Sequence, residues 1–208
     1  FTTTSSAGEA AYEVEVTNGS SNINIVNCEF TKVPDLKPAP GQAPGLLVNS
    51  SSVIVTDSEF SALSAMNGAA INAIYSSTLN VYGSFFSENV AVNLGGAIRI
   101  YESTLTVDRS TFFENDAVAG GAIEITNDWH SVKSFNAGSP KISNNLFVEN
   151  AASDEGGAIS MTSVQYPELI YNTFVDNTAP VKGGGIYYTE TNVHIVNNIF
   201  DGNDSYAI

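Results

Sequence analysis

A repeat of about 26 residues is the feature of this sequence that most constrains its fold. Each unit is anchored by a phenylalanine, and consecutive anchors are 30, 26, 26, 35, 27 and 26 residues apart. An aliphatic residue lies five positions before every anchor, and Asn lies three positions after each of the last five. The anchors are Phe30, Phe60, Phe86, Phe112, Phe147, Phe174 and Phe200. A chain with this period builds one small structural unit per repeat and stacks the units.

A second apolar segment follows the middle anchors, and its apolar residues alternate with polar ones, as they do in a strand. The alternating pairs are Ile71/Ala73, Ile98/Ile100, Ile123/Ile125, Ile159/Met161 and Ile186/Tyr188. Each repeat then holds two or three short strands and is too small to bury its own apolar face. We therefore predict an all-β fold, a right-handed parallel β-helix (solenoid) of seven to eight coils spaced about 4.8 Å apart.

Coils that stack in this way place equivalent residues directly over one another. Phe and Ile should form interior columns, and Asn at a corner should bond the backbone of its own coil and the Asn of the next. The Gly pair before each second strand marks a corner that leaves no room for side chains or requires a positive φ. Cys28 occupies a position that Ser or Asn fills in the other units, which predicts a buried structural thiol.

The chain of 208 residues is long enough for one domain, 1–208. Two units carry loop insertions, a Pro-rich one near 33–44 and a second one near 126–140. The chain begins at Phe1 without a Met or a signal peptide, so we expect it to be part of a longer protein.

Composition excludes several partners. The net charge is −15, with 22 acidic and 7 basic residues, so nucleic acid and an anionic membrane surface would repel the chain. A continuous apolar run of about 18 residues is lacking, so we expect no membrane insertion in this segment. The acidic, Lys-poor composition rich in Asn, Ser and Thr favours an extracellular or cell-surface location.

The central repeats combine two short motifs, FxxN and GGA[I/L/V], as in "FSENVAVNLGGAIRI" and "FVENAASDEGGAISM". This combination resembles the repeats of the chlamydial polymorphic outer-membrane proteins, which are autotransporter adhesins, and of bacterial secreted right-handed β-helix proteins. Both motifs occur together from Phe86 to Ile186, whereas Val33 and Leu63 replace the Asn in the first two units. The resemblance implies a surface or secreted protein and supplies no catalytic residue.

Two functions follow from these observations. The first is a non-catalytic extracellular β-helix protein that serves as an adhesin, a stalk or a filament-forming subunit. Its partner would be a glycan, a host or neighbouring cell surface, or copies of itself stacked end to end. The alternative is a carbohydrate-active enzyme, a polysaccharide lyase or glycoside hydrolase, with its groove beside 128–133. Its candidate bases are scattered along the sequence: Arg99, Arg109, Lys141, Lys182, His130 and His194.

An acidic residue lies two positions after four successive anchors, at Glu88, Glu114, Glu149 and Asp176. Stacked coils would bring these carboxylates to about 5 Å from one another, where they repel unless water, salt or a cation lies between them. Weak Ca²⁺ binding along this column is one interpretation, since Ca²⁺ prefers carboxylate ligands. A solvated ridge that discourages aggregation is the other.

Two further groups are candidates for ligand binding. The outward positions of the second strand form a column of Asn72, Arg99, Glu124, Ser160 and Tyr187, in which Arg99 and Glu124 could form an exposed pair. Tyr101 and Tyr187 could stack on sugar rings, although exposed aromatic residues are also common on ordinary surfaces. The second insertion holds Asp128, Trp129 and His130, and long loops on a rigid scaffold often carry recognition. Trp129 could instead fold back to cover apolar surface.

Overall fold

The computed structural model describes residues 14–31, 43–128, 139–204 and residue 208. Within these ranges the chain forms 25 short strands and no helix. Neighbouring strands pair in parallel and belong to four sheets, which run along the length of the molecule.

The first and second sheets have seven strands each. The first sheet consists of β1 (Val14–Val16), β4 (Leu46–Asn49), β8 (Ile71–Ile74), β12 (Ile98–Tyr101), β16 (Ile123–Thr126), β20 (Ile159–Thr162) and β23 (Ile186–Thr189). The second consists of β2 (Ile23–Val26), β5 (Ser52–Thr56), β9 (Thr78–Tyr82), β13 (Thr104–Asp108), β17 (Lys141–Ser143), β21 (Glu168–Ile170) and β24 (His194–Val196).

The third sheet also has seven strands, and the fourth has four. The third consists of β3 (Glu29–Thr31), β6 (Glu59–Ser61), β10 (Phe85–Ser87), β14 (Thr111–Phe113), β18 (Leu146–Val148), β22 (Thr173–Val175) and β25 (Ile199–Asp201). The fourth consists of β7 (Ser64–Asn67), β11 (Val90–Leu94), β15 (Asp116–Ala119) and β19 (Ala151–Glu155).

The chain visits the four sheets in the same order in each central coil, so the predicted parallel β-helix is confirmed. A central coil has four strands rather than two or three, because the segment between Asn89 and Gly95 is itself a strand, β11. The seven strands of the first sheet enclose six complete turns, and the second and third sheets continue into a further partial turn. The coil number is thus slightly below the seven to eight predicted.

The phenylalanine anchors form a single interior column in the third sheet. Successive rings from Phe30 to Phe200 are stacked with centroids 4.4 to 5.1 Å apart and interplanar angles of 5 to 8°. The five rings from Phe60 to Phe174 are fully buried. This column confirms that equivalent residues of consecutive repeats lie over one another.

Aliphatic columns from the first and second sheets complete the core. Alternate residues of β12 and β16, such as Ile98 and Ile123, are fully buried, and so are Val81 and Val107 in the second sheet. Tyr188 departs from the prediction, since it is 38% exposed although it pairs with the buried Met161. The reason is that β23 is the last strand of its sheet, so no described strand packs over that side of it.

An asparagine ladder lines the corner between the third and fourth sheets. Asn115 Nδ2 donates to Asn150 Oδ1 of one neighbouring coil at 2.9 Å and to the Phe86 carbonyl of the other at 3.0 Å. Asn150 Oδ1 also accepts from the Asn115 backbone N–H. The ladder is confirmed. In the inner coils its side chains bond the backbone of neighbouring coils, and in the last coil Asn203 Nδ2 also donates to the Asp201 carbonyl of its own coil, as predicted.

A second polar ladder lines the corner between the second and third sheets, where Ser84 and Ser110 are buried. Cys28 belongs to this ladder, but it is exposed, so the prediction of a buried thiol is wrong. Its backbone N–H donates to Ser58 Oγ of the next coil. Cys28 directly precedes β3, which is the end strand of the third sheet and pairs only with β6 among the described strands. With no described strand on its other side, this position is not enclosed as it is in the inner coils.

At the Gly-Gly corner before the first sheet, the first glycine is required for its backbone conformation and the second for lack of space. Gly95 has a φ of +63°, which L-residues adopt at a cost. Gly96 needs space instead, because a Cβ there would lie 2.7 Å from both the backbone N and O of Asp116, and closer still to the Gly121 carbonyl oxygen. Backbone atoms of the next coil cannot move aside without disturbing the stack.

We therefore expect Gly96→Ala to lower the free energy of unfolding by about 3 kcal/mol or more, since the added methyl group meets backbone. Gly19→Ala is the control: its φ is +75°, but nothing lies within 4 Å of an added Cβ. Strain alone should then cost about 1–2 kcal/mol. Urea denaturation of both variants measures the difference, and equal losses would show that space at Gly96 is not the constraint.

The two predicted loop insertions fall mostly outside the described residues, which omit 32–42 and 129–138. No helix capable of crossing a membrane was found in the part of the chain that the structure describes.

Candidate ligand-binding face

A polar column runs along the outer side of the first sheet, and we call it the outer column. Its members occupy one register position in five successive strands, which the sequence analysis placed together correctly. The outer column consists of Asn72, Arg99, Glu124, Ser160 and Tyr187. Their neighbours along each strand, such as Ile98 and Ile100, point into the core, because strand residues alternate between faces.

Arg99 and Glu124 form an ion pair at the centre of the outer column, with Nε and Oε2 3.7 Å apart. The sequence suggested an exposed pair, but the side chains are only 17% and 5% exposed. The pair is therefore partly desolvated, and removing one partner would strand the other charge away from water.

Four buried polar atoms on and beside the outer column have no hydrogen-bond partner within the described part of the chain. They are Asn72 Oδ1, Arg99 Nε, Glu124 Oε2 and Asn127 Oδ1. Buried polar groups are nearly always hydrogen-bonded, and each unsatisfied one costs about 1–3 kcal/mol. These atoms are enclosed by the chain itself, so they are unsatisfied buried polar groups that weaken the packing on this face.

Burial, with a smaller contribution from the nearby charge of Glu155, raises the pKa of Glu124 from 4.5 to about 7. A hydrogen bond donated by Thr126 Oγ1 to Glu124 Oε1 and the charge of Arg99 act in the opposite direction. Desolvation is the larger effect, so ionisation of this carboxyl is disfavoured in the folded protein.

The contribution of Glu124 to stability should therefore depend on pH. Since its pKa is higher in the folded than in the unfolded chain, this contribution is fully present below about 4.5 and is lost as pH rises to about 7. The loss is on the order of 3 kcal/mol, from a pKa difference of about 2.5. Urea denaturation across this range in the wild type and in Glu124→Gln measures it. The same pH dependence in both proteins would contradict the assignment to Glu124.

Two tyrosines flank the ion pair and lie about three coil spacings, or about 14 Å, apart along the sheet. The Arg99 guanidinium lies 4.9 Å from the centroid of the Tyr101 ring, and Tyr75 packs edge-on against that ring. Lys182 Nζ lies 4.8 Å from the centroid of the Tyr187 ring and 3.3 Å from Glu155 Oε2. Each ring thus has a cation over one face, which leaves at most the other face for a ligand.

The pKa of the Tyr101 phenol is raised by burial, then by the charge of Glu102, and to a smaller extent by the charge of Asp128. Asp128 therefore lies close to Tyr101. Asp128 thus joins Tyr101 and Arg99 at one end of the face. Trp129 and His130, the other two residues predicted in the insertion, lie outside the described residues.

Sequence reasoning did not include Asn127 or Glu155 in the site, and it named Lys182 only as one of the scattered candidate bases. Glu155 directly precedes the Gly-Gly corner, and its strand β19 leads into β20 of the first sheet. That connection could have placed Glu155 near the outer column. Burial of Glu124 and Asn127 had no sequence signal, because polar residues at outward strand positions are ordinarily solvated.

The acidic column predicted from the repeat is present at the corner after the third sheet. All four residues, Glu88, Glu114, Glu149 and Asp176, have positive φ between 52 and 54°. The pKa of Glu114 is raised by burial of the charge and by the neighbouring carboxylates of Glu149 and Glu88, so Glu114 feels the charge of the coil on either side.

No group of three or more His, Cys, Asp or Glu residues suited to a metal ion was found in the described ranges. The Ca²⁺ interpretation stays a prediction, namely that millimolar calcium raises the melting temperature by screening the repulsion between these carboxylates. Thermal denaturation with calcium, and with magnesium as the control, is the measurement. An unchanged melting temperature would leave the solvated ridge as the explanation.

A family model described as "right handed beta helix region" matches residues 14–208, nearly the whole chain. This match agrees with the four parallel sheets and assigns their hand. No curated protein and no solved structure shows a significant match.

Proposed function

The chain belongs to the right-handed β-helix region family, and on that premise we propose that it is a non-catalytic extracellular or cell-surface protein that binds a glycan. The outer column and its flanking tyrosines would be the binding surface, and the solenoid would be the rigid support. An adhesin or a stalk with a recognition face would have this arrangement.

The observation that carries the proposal is a pair of partly exposed tyrosine rings, Tyr101 and Tyr187, beside a polar column on one outward-facing sheet. Ligand sites combine a few polar groups with aromatic surface, and Tyr101 and Tyr187 supply the latter here. Sugars carry hydroxyl groups that can bond polar side chains as well as apolar C–H surfaces that pack on rings. Side-chain ladders at two corners join the central coils, which supports a rigid binding surface.

A second function, glycoside hydrolysis, is favoured by one observation. A carboxyl whose pKa is raised to about 7 has the property of a general acid at neutral pH, and Glu155 is a second carboxylate within electrostatic reach of it. Hydrolysis would release reducing ends from a bound polysaccharide, whereas an adhesin would release none. The two functions are therefore separated by one assay on the same mixture.

Affinity electrophoresis through gels containing single polysaccharides tests the proposal. The wild-type protein should be retarded by at least one polysaccharide without releasing reducing ends. Tyr187→Ala should weaken that retardation by about tenfold, because it removes ring surface from the site. Tyr171→Ala is the matched control, since Tyr171 is 60% exposed but lies at the corner after the second sheet.

Equal loss in both tyrosine variants, or retardation by no polysaccharide, would contradict glycan binding at this face. Release of reducing ends that stops in Glu124→Gln would favour the enzyme instead. The expectations of an extracellular location, of end-to-end stacking and of no binding to nucleic acid or membrane stay predictions.

A further inference from the structure

We infer that the outward side of the fourth sheet is a docking surface for a cationic amphipathic α-helix of another protein. Exposed apolar residues lie on this side, and the acidic column runs beside them. The inference concerns a different face from the outer column and does not depend on glycan binding. The apolar residues, which we call the apolar face, are Met66, Val90, Val92 and Val118.

The apolar face extends over three adjacent coils. Met66, Val92 and Val118 each lie six residues after their anchor phenylalanine, and they are 37%, 58% and 41% exposed. Val90, in the middle coil, is 44% exposed. Outward strand positions are ordinarily polar, and contiguous exposed apolar surface marks interaction sites. Covering this face would remove apolar surface from water, which favours association with a partner.

The acidic column lies directly beside the apolar face. Glu88 precedes Val90 by two residues, with only the buried Asn89 between them. The four acidic residues of the column are exposed, and none of them forms an ion pair within the described ranges. The four strands of this sheet contain no Lys, Arg or His. One margin of the apolar face therefore carries unpaired negative charge, which is complementary to cationic side chains of a partner.

Asp116 adds a carboxylate within the apolar face. It pairs in register with Val90 and precedes Val118 by two residues in β15. Partial burial raises the pKa of its carboxyl, because burial removes part of the hydration of the charged form. A cation of a partner would stabilise this carboxylate, and it would also offset the repulsion that Glu114 experiences from Glu149 and Glu88.

The spacing of the coils favours a helical partner over an extended one. Coils repeat about every 4.8 Å along the solenoid, and the apolar face and the acidic column both follow that direction. One helical turn advances about 5.4 Å, so a helix laid along the solenoid drifts by about 0.6 Å per coil. Two residues of an extended strand advance about 6.7 Å, a drift of about 2 Å per coil. About ten residues of helix span the acidic column, which covers three coil spacings or about 14 Å.

A second copy of this chain fits the surface less well than a cationic partner does. The chain has 22 acidic and 7 basic residues, so two copies docked through this side would repel each other. The apolar face spans only two coil spacings, about 10 Å, along the solenoid. A stable dimer buries about 800 Å² on each partner, which requires a larger surface.

The experiment is fluorescence anisotropy of labelled peptides titrated with the whole chain at physiological ionic strength. The probe is a peptide of about 14 Leu and Lys residues arranged with the period of an amphipathic helix. Its controls are a scrambled peptide of the same composition, a peptide with Ser in place of Leu, and a peptide with Glu in place of Lys. We expect the probe to bind about tenfold more tightly than any control peptide.

Variants of the chain locate the binding. Val92→Ser should weaken binding of the probe about fivefold, because it removes apolar surface from the centre of the apolar face. Val26→Ser is its matched control, since Val26 is 49% exposed but lies in the second sheet. Glu114→Gln should weaken binding about threefold. Glu190→Gln should not, because Glu190 shares the φ of 52° but lies at the corner after the first sheet.

Circular dichroism checks that each variant folds, and Val118→Ser takes the place of Val92→Ser if the latter does not. Binding of no peptide, or equally tight binding of the probe and the scrambled peptide, overturns the helical partner. Equal losses in Val92→Ser and Val26→Ser, or in Glu114→Gln and Glu190→Gln, overturn the assignment to this surface. Self-association in sedimentation that Val92→Ser abolishes would make a second copy the occupant and overturn the inference. All these outcomes leave glycan binding at the outer column standing.

Discussion

Replacing Phe86 by alanine is expected to lower the free energy of unfolding by about 3–5 kcal/mol. The ring is fully buried and stacked between Phe60 and Phe112, with centroids 5.1 and 4.8 Å away. Its removal forfeits the burial of the ring and leaves a cavity. The neighbouring coils cannot close that cavity, because their spacing is set by backbone hydrogen bonds. Both stacking contacts are lost as well.

Phe85→Ala provides the matched control, since Phe85 is the adjacent residue in β10 and is 37% exposed on the outside of the solenoid. We expect a loss of about 1 kcal/mol or less from that change. Urea denaturation followed by circular dichroism compares the two variants. A loss from Phe85→Ala as large as that from Phe86→Ala would show that the interior column is not the main source of stability.

Replacing Asn115 by alanine is expected to cost about 3–5 kcal/mol, although the residue is polar. Asn115 Oδ1 accepts from both the backbone N–H and Nδ2 of Asn89, and Asn115 Nδ2 satisfies the Phe86 carbonyl. All these groups are buried, and each costs about 1–3 kcal/mol when left unpaired. The methyl group of alanine can replace none of the bonds.

Asn93→Ala is the control, because Asn93 lies in β11 of the preceding coil and its side chain is exposed. This change should lower the free energy of unfolding by no more than about 0.5 kcal/mol. Denaturant unfolding and amide hydrogen exchange of Asn89 and Asn150 provide the readouts, since the backbone N–H of Asn89 should lose protection. Unchanged exchange at Asn89 in Asn115→Ala would contradict the ladder as the source of that protection.

The repeat was sufficient to predict the parallel β-helix, the Phe column and the Asn ladder. Stacking makes each of these a one-dimensional property: a residue's neighbours are its equivalents one period earlier and later, so spacing along the chain gives contacts in space. The same reasoning missed the fourth strand of the central coils, because Val90–Leu94 varies between repeats and carries exposed apolar residues such as Val92.

Only part of the candidate site could be predicted from the repeat. Register placed Arg99 beside Glu124, and proximity of Tyr101 followed from its position two residues on. Their burial did not follow, because exposure of an outward position depends on all surrounding atoms rather than on the period of the repeat. Cys28 failed for a related reason, since equivalence within the ladder holds only where coils lie on both sides.

The sequence by itself thus determined the path of the chain and its interior, because a period of about 26 residues leaves few ways to bury Phe, Ile and Asn. The tertiary structure alone decided which outward side chains are removed from water, and therefore that burial raises the pKa of Glu124 to about 7. The physical reason is that pairing in a solenoid is local and periodic, whereas desolvation sums over every neighbouring atom regardless of its place in the repeat.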